Sequence, residues 1–290
     1  MSRSSTERAA AGLAIGRDYL GVAERAAGKA RAMAELPLAT PLFVGAPSAA
    51  ARETLARALR EIAGGLARRY LPLHVSLPDA LVRWAVFELD ELPGAHRAQL
   101  ELAAFRFSRQ GLNGKHAYTC QPLGDEGGKR LLLGMAADAG WLALVDETLQ
   151  AAGIMPWTIS ANACRQFNAF HDEITRSSGA LVALAPDAWS LSVWDARARP
   201  RYIRGRWRSA AAGYDDIALE VERSILAYVH AHPEREVARL FVAGGEETFA
   251  LKRALDARLR EPCSALAAEA EAGTHCPPSA PVALAAALEQ

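Results

Sequence analysis

Leu240-Phe241-Val242-Ala243-Gly244-Gly245 is the stretch of sequence that says most about the fold. It is a short apolar run that ends at two glycines, and Glu246 and Glu247 then favour the N-terminus of a helix. Two other short apolar runs, at 13–16 and 181–185, also break at small residues. Small residues let backbone amides approach a ligand, and they also suit tight turns. We therefore expect three buried strands whose following loops are either structural turns or parts of a nucleotide site.

The composition is that of an ordinary globular protein without a strong electrostatic bias. The 290 residues are 51% hydrophobic and 23% charged, and 33 lysines and arginines balance 33 aspartates and glutamates. A chain of this length can form two compact lobes, each with its own core. Because the formal net charge is zero, no long-range field attracts a polyanion. We therefore expect no dedicated nucleic-acid binder.

The cysteines and the N-terminus indicate the compartment. The cysteines at 120, 164, 263 and 276 form no CxxC pair, which favours reduced thiols over a disulfide framework or a zinc site. Residues 1–11 are polar and alanine-rich, unlike a signal peptide, and no run approaches ~18 apolar residues. We expect a cytoplasmic protein with a flexible N-terminus over 1–11, no bound metal and no membrane insertion of its own.

The order of strand-like and helix-like segments predicts an α/β protein of two related halves. A helix over 49–66 is predicted to follow the opening strands. Residues 94–152 then show a different spacing of apolar residues, which predicts two helices and a hairpin around the turn at 124–128. The composition changes at 175–179, where small and polar residues indicate a boundary between lobes. Beyond it, strands are predicted at 180–185, 189–195, 200–207 and 237–243, and a helix at 246–260 follows the last of them.

Several segments resemble the PilM family, the cytoplasmic actin-like proteins of type IV pilus assembly, and the related MshI proteins. Gly12-Leu-Ala-Ile-Gly16 resembles the opening strand of the family, and Ala152-Gly153-Ile-Met-Pro156 resembles its A-G-L-x-P link back to the core. Leu89-Asp-Glu-Leu-Pro93 is similar to the start of its inserted subdomain, and the stretch at 240–245 matches its strand ending in Gly-Gly. The resemblance covers roughly residues 12 to 288, including an alanine-rich closing helix at 283–288.

The resemblance implies an actin-like two-lobed fold of paired ribonuclease-H-like cores, with a small inserted α+β subdomain. Residues 12–178 would form the first lobe, including the inserted subdomain at about 90–152, and residues 179–290 the second. The resemblance also implies that the chain binds the short cytoplasmic N-terminal segment of a PilN-like inner-membrane protein in a groove between subdomains. The protein would then lie at the inner membrane through its partner, with the pilus motor ATPase as a further candidate partner.

The nucleotide loops depart from the pattern of actin-like ATPases. In those proteins each loop begins with an aspartate, which organises magnesium and is followed by glycine and small hydroxyl residues. Here the aspartate positions hold Ala14 and Ala183, and Trp189 is expected where phosphate would lie. We therefore expect no hydrolysis, no catalytic residues and a pseudo-ATPase scaffold. The residues left that could hold ATP, with or without magnesium, are Gly16, Asp18, Asp187, Gly244 and Gly245.

Two alternative functions stay open. A nucleotide-dependent switch or sugar-kinase-like enzyme of the same fold would require magnesium-dependent ATP binding, for which Asp18 and Asp187 would have to compensate by a shift of register. An adaptor like the type II secretion protein GspL, a more distant relative, would contact a secretion ATPase and would differ from the scaffold only in its partner.

Other conspicuous side chains have structural interpretations. The arginines between 197 and 208 fit a solvated strand face, an acidic partner or phosphate, or nucleic acid, in that order. Cys164 is expected to be a small buried residue rather than a nucleophile. Trp84, Trp141 and Trp157 are expected in the core, although exposure would instead indicate contact with a partner.

Overall fold

The computed structural model describes residues 10–26, 29–66, 72–209, 211–245 and 247–266, together with Ala283. The predicted flexible segment lies outside these ranges up to residue 9, and residues 10 and 11 already belong to the first strand. The predicted closing helix at 283–288 lies outside them except for Ala283, which is helical and buried.

The described elements alternate between sheets and helices. In chain order they are β1 Ala10–Ile15, β2 Tyr19–Ala26, β3 Lys29–Pro37, α1 Ala49–Leu66, β4 Leu73–Leu77, a 3₁₀ turn Asp79–Leu81, β5 Val82–Leu89, α2 His96–Arg109, β6 His116–Glu126, β7 Lys129–Asp138, α3 Ala139–Ala151, β8 Pro156–Ala161, α4 Asn162–Ala169, α5 His171–Ile174, β9 Gly179–Leu184, β10 Ala188–Trp194, β11 Pro200–Trp207, α6 Tyr214–Ala231, β12 Leu240–Ala243, α7 Thr248–Asp256 and β13 Cys263–Leu266.

The first core is a five-stranded sheet in the order β3-β2-β1-β4-β8. Strands β1 to β3 form an antiparallel meander, whereas β4 runs parallel to β1 and β8 parallel to β4. Every residue of β1 and β4 is buried, as expected for strands inside a partly parallel sheet. Leu55 of α1 and Leu144 of α3 belong to the same apolar cluster as Leu13 and Val75.

The second core repeats this topology, with the strand order β11-β10-β9-β12-β13. Strands β9 to β11 are antiparallel, and β12 and β13 extend the sheet in parallel. The predicted pairing of related α/β halves is therefore confirmed. Strand β13 is not among the strands predicted from the sequence, because its four residues show no clear alternation.

A third sheet, β5-β7-β6, builds the small subdomain. Strand β7 pairs antiparallel with β5, starting from Val82 opposite Ala137, and antiparallel with β6 as far as the β6–β7 turn. Helix α2 covers this sheet through Ala103 and Phe107. This sheet and α2 span residues 82–138, whereas the sequence places the subdomain at about 90–152. The difference arises because β5 pairs along its whole length with β7, and because α3 packs in the first core.

The base of the small subdomain meets the second core at a close backbone contact. Gly205 of β11 lies against the 3₁₀ turn, where a Cβ atom on Gly205 would overlap the carbonyl carbon and oxygen of Asp79. Only glycine permits so close an approach of two backbones. The relative position of the two parts therefore depends on the absence of a side chain at this position.

Gly205→Ala is expected to lower the free energy of unfolding by about 1–3 kcal/mol, because the methyl group forces the backbones apart. The matched control is Gly94→Ala, since a Cβ atom at Gly94 would meet nothing within 4 Å. Urea denaturation of both variants and the wild type measures the effect. Equal stability of the two variants would contradict the close contact.

Candidate nucleotide cleft and peptide groove

The loops predicted to hold nucleotide meet at the interface between the lobes. The loop at 16–18 follows β1, and the loop at 185–187 follows β9. The carboxylate of Asp187 accepts a hydrogen bond from the backbone N–H of Arg17, which joins the two loops directly. Gly16, Asp18 and Asp187, three of the residues predicted from the sequence, are therefore brought into one neighbourhood.

Asp187 is buried in this interface, with 5% of its surface exposed. Burial raises the pKa of its carboxyl group, while the N–H of Arg17 opposes the shift. Its backbone carbonyl accepts a second hydrogen bond, from the N–H of Arg208 at 2.8 Å. The position is thus fixed through both the side chain and the main chain.

The aromatic ring of Tyr19 covers Gly16. A Cβ atom on Gly16 would overlap this ring, so the glycine is required for the packing of Tyr19. Burial raises the pKa of the Tyr19 phenol well above its usual value, and the carboxylate of Asp187 adds to the shift. The ring therefore lies between the loop of the first lobe and the acid of the second.

Arg17 and Asp18 lie at the rim of the interface. The guanidinium group of Arg17 stacks over the ring of Trp207 at 5.6 Å, and Trp207 stacks on Phe43 with ring centroids 6.3 Å apart. The carboxylate of Asp18 is 3.1 Å from Nε of Arg17, and its side chain is about half exposed. Asp18 therefore does not join Asp187 in a buried pair.

Gly244 and Gly245 form the turn between β12 and α7. A Cβ atom on Gly244 would lie 2.8 Å from Cβ of Leu184 and 3.1 Å from Oγ1 of Thr248. The N–H of Thr248 donates to the carbonyl of Gly245 at 3.0 Å. These contacts fit the structural interpretation of the two glycines, a tight strand-to-helix turn.

Trp189 does not lie at the phosphate position predicted for it. Its side chain is buried in the second core together with Leu191 and Val193. The prediction was wrong because every residue of β10 is buried, so this bulky ring faces the apolar core instead of the loop.

Groups of the protein contact both loops predicted to hold nucleotide. The Arg17 amide is bonded to Asp187, and the Tyr19 ring covers Gly16. The side chains of Ala14 and Ala183 supply no oxygen ligand for magnesium. Across the described residues, no group of three or more His, Cys, Asp or Glu side chains is arranged to hold a metal ion.

Asp79 is a second buried acid at the lobe interface, and sequence reasoning missed it. Both of its carboxylate oxygens lie 2.9 Å from the backbone N of Ala163, in the first turn of α4. Burial raises the pKa of Asp79 to about 7, although the N–H of Ala163 opposes the shift. The only sequence signal is an acid directly after the buried strand β4.

Asp79→Asn is expected to change how stability depends on pH. The native pKa of about 7 lies above the usual value near 3.9, so the native state binds more protons between these pH values. The free energy of unfolding of the wild type therefore falls by up to about 4 kcal/mol through this group as pH rises from ~4 to ~7. The variant has no such dependence, and its amide oxygen can still accept a hydrogen bond from Ala163. Denaturation from pH 4 to 8 should show the variant gaining relative stability as pH rises. A difference that is constant with pH would contradict the assignment.

A groove of about 400 Å³ separates the first core from the small subdomain. Most of its lining is apolar and comes from both sides. The first core contributes Phe43, Leu77, Trp141, Leu142 and Ile159, and the small subdomain contributes Val82, Ala117, Tyr118, Met135 and Ala137. The groove can therefore take apolar side chains, while its polar lining includes Thr119, Thr158 and Ser160 and two charged residues, Asp138 and Arg165.

Two edge strands border this groove. Within the described ranges β8 pairs only with β4, and β6 pairs only with β7. An unpaired strand edge presents backbone N–H and C=O groups that an extended peptide can bind. Residues of both strands line the groove, so backbone hydrogen-bonding groups lie on both sides of it.

Trp157, expected in the core, is instead exposed at the start of β8. Its exposed fraction is 74%, and that of neighbouring Met155 is 75%, whereas Trp141 is buried as predicted. Trp157 lies on the same edge strand that borders the groove. Exposed tryptophans are common at protein interfaces, so this exposure favours a contact surface.

Three of the arginines between 197 and 208 have acidic partners within the chain. Arg199 and Arg201 pair with Asp195 and Glu126, and Arg208 pairs with Glu247. These three arginines thus make ion pairs inside the molecule, which none of the interpretations drawn from the sequence included.

The thiols have the properties of structural cysteines. Burial raises the pKa of Cys164 to about 11 and that of Cys263 to about 12. Both are therefore protonated at neutral pH, and a protonated thiol is a poor nucleophile. The protonated thiol agrees with the prediction that Cys164 is not a nucleophile, although its side chain is half-buried and not fully buried as expected.

Solved structures of several different proteins have a similar fold, and two of these proteins belong to pilus and secretion systems. The sequence matches no protein-family model and no curated protein sequence at a significant level. The structure of a PilM–PilN type IV pilus biogenesis complex aligns over 96% of this chain and 97% of that chain, with a TM-score of 0.71 and 18% identity. A Bacteroides thetaiotaomicron protein with an actin-like ATPase fold aligns over 92% and 93%, with a TM-score of 0.54 and 10% identity. The cytoplasmic domain of EpsL, an inner-membrane component of the Vibrio cholerae type II secretion system, aligns over 81% of each chain, with a TM-score of 0.50 and 14% identity.

The chain therefore has the actin-like ATPase fold that the sequence predicts. Within that class, the expected likeness to PilM proteins is confirmed at the level of the fold, over nearly the whole length of both chains. Among the described residues, no helix combines the length and apolarity needed to cross a bilayer.

Proposed function

We propose that this protein is a cytoplasmic scaffold of type IV pilus assembly, of the MSHA-like kind, that acts without ATP hydrolysis. Its groove binds the cytoplasmic N-terminal segment of a PilN-like inner-membrane protein, which keeps the scaffold at the inner membrane. The observation that carries this proposal is the apolar groove bordered by β6 and β8. The fold-level likeness to the PilM–PilN complex supports it.

The chemistry of the groove defines the peptide that it would bind. A volume of about 400 Å³ is large enough for several apolar side chains but not for a folded domain. The peptide would be extended, since strand edges bind a backbone in that conformation. Apolar residues would enter between Met135 and Ile159, while Trp157 would contact the part of the peptide outside the groove.

The absence of hydrolysis follows, in this proposal, from the way the lobes are joined. Asp187 binds the Arg17 amide and Tyr19 covers Gly16, so groups of the protein fill the space that phosphates would need. A nucleotide would have to displace a buried carboxylate and a buried aromatic ring before making any contact of its own.

Calorimetric titration of the purified protein with ATP, with and without magnesium, is expected to show no binding up to millimolar concentration. The reason is that the loop amide and the space over Gly16 are already occupied. Thermal unfolding provides an independent check, because ligand at ~100 times its dissociation constant adds ~2.7 kcal/mol of stability. Micromolar binding that magnesium tightens would refute the pseudo-ATPase proposal and support the nucleotide-switch alternative.

Met135→Glu is expected to weaken binding of a synthetic PilN N-terminal peptide by about tenfold or more, because it replaces an apolar lining residue with a carboxylate that loses hydration when peptide covers it. The matched control is Phe105→Glu on α2, an equally drastic change at an exposed residue that does not line the groove. Fluorescence anisotropy of a labelled peptide measures both. Equal affinity of the two variants would place the peptide elsewhere.

An adaptor role in type II secretion is the second candidate, supported by the fold-level likeness to the EpsL domain. The two candidates differ in the partner. Pull-down with the cytoplasmic segment of a PilN-like protein and with a secretion ATPase separates them, and the same experiment with the pilus motor ATPase tests that further partner.

A further inference from the structure

A cluster of partly buried ion pairs joins the tip of the small subdomain to the second lobe. Glu126, at the end of β6, pairs with Arg201 and lies 3.5 Å from Arg199 and 3.2 Å from Arg235. Asp195 holds Arg199 and Arg201 from the other side, at 2.8 and 2.5 Å. We call this set of five residues the Glu126 clasp.

Four of the five side chains of the clasp are largely shielded from solvent. Arg201 is 1% exposed, and Arg199, Asp195 and Arg235 are 12%, 15% and 17% exposed, whereas Glu126 is 36% exposed. Salt screens partly buried pairs less than surface pairs, and removal of Glu126 leaves the shielded arginines with one acceptor fewer. The Nη1 group of Arg199 also donates to the backbone carbonyl of Asp125 at 2.9 Å, so the contact fixes the hairpin main chain as well.

The geometry points to a positioning role for the clasp. On one side the small subdomain faces the first core across the open groove. On the other side it contacts the second lobe at Gly205 near its base and at the Glu126 clasp at its tip. The second lobe thus holds one wall of the groove, although none of the five clasp residues lines the groove.

We infer that Glu126 is a positioning residue that couples the groove to the second lobe: the clasp holds the small subdomain at the spacing that the peptide requires. This inference rests on the proposed function for the identity of the peptide, but the mechanical part concerns the protein alone. Coupling of this kind is reciprocal, so peptide in the groove also restrains the second lobe.

The test compares two neighbouring substitutions that remove one negative charge each. Glu126→Gln breaks the contact with Arg199, Arg201 and Arg235, while Asp195 still holds Arg201, so the variant is expected to fold. Asp125→Asn is the matched control, because the Asp125 carboxylate pairs with Arg130 inside the same hairpin. Glu126→Asp keeps the charge and is expected to restore most of the wild-type behaviour.

Two measurements follow the effect. Electron spin resonance between non-cysteine spin labels at the exposed residues Arg109, Arg253 and Arg60 gives the distances from the small subdomain to the second lobe and to the first core. Glu126→Gln is expected to broaden both distance distributions, whereas Asp125→Asn leaves them narrow. Titration with the synthetic PilN peptide is expected to show binding about fivefold weaker for Glu126→Gln and unchanged for Asp125→Asn.

The distance and affinity measurements test the positioning role, the coupling and the proposed function separately. Unchanged distances in Glu126→Gln, or equal broadening in the control, would overturn the positioning role. Broadened distances with unchanged peptide affinity would overturn the coupling. If the wild type does not bind the peptide at all, the proposed function fails, while the distance measurements still decide whether the clasp positions the subdomain.

Discussion

The hydrogen bond from the Arg17 amide to the Asp187 carboxylate is the contact on which the arrangement of the two lobes depends. Each core completes its own sheet and apolar cluster, so neither needs the other to bury its strands. The relative position of the two cores must therefore be set by contacts between them. The Asp187 carboxylate of the second lobe accepts a hydrogen bond from a main-chain donor of the first, in a site where burial excludes competing water.

The neighbouring contacts reinforce this geometry. Tyr19 fills the space over Gly16, Trp207 lies between Arg17 and Phe43, and Gly205 admits the backbone of Asp79. In our proposal these contacts hold the lobes in one arrangement, so that the groove beside them keeps a single shape for the membrane partner. The clasp around Glu126 would extend the same constraint to the small subdomain.

The sequence predicted the architecture better than the site. Short buried strands such as 240–243 stand out because they are apolar and end at glycine, and two halves of similar order follow from the alternation of strands and helices. Boundaries were less accurate: the helix predicted over 246–260 spans Thr248–Asp256. Contacts between distant segments leave no local pattern, so the roles of Asp79, Gly205 and Glu126 were not foreseen. Trp157 was misplaced because hydrophobicity alone does not distinguish a core residue from an exposed one on an edge strand.

The two strand edges beside the groove also affect whether molecules of this protein associate with one another. An open edge can recruit the same edge of another molecule and begin an indefinite array. Pro122 lies within β6 and Pro156 begins β8, and proline has no backbone N–H to donate. Each edge therefore has a gap in its row of donors, which shortens the stretch that any added strand can follow. In our proposal a short peptide can still pair with part of such an edge, whereas long strand pairing between two molecules is interrupted at the proline.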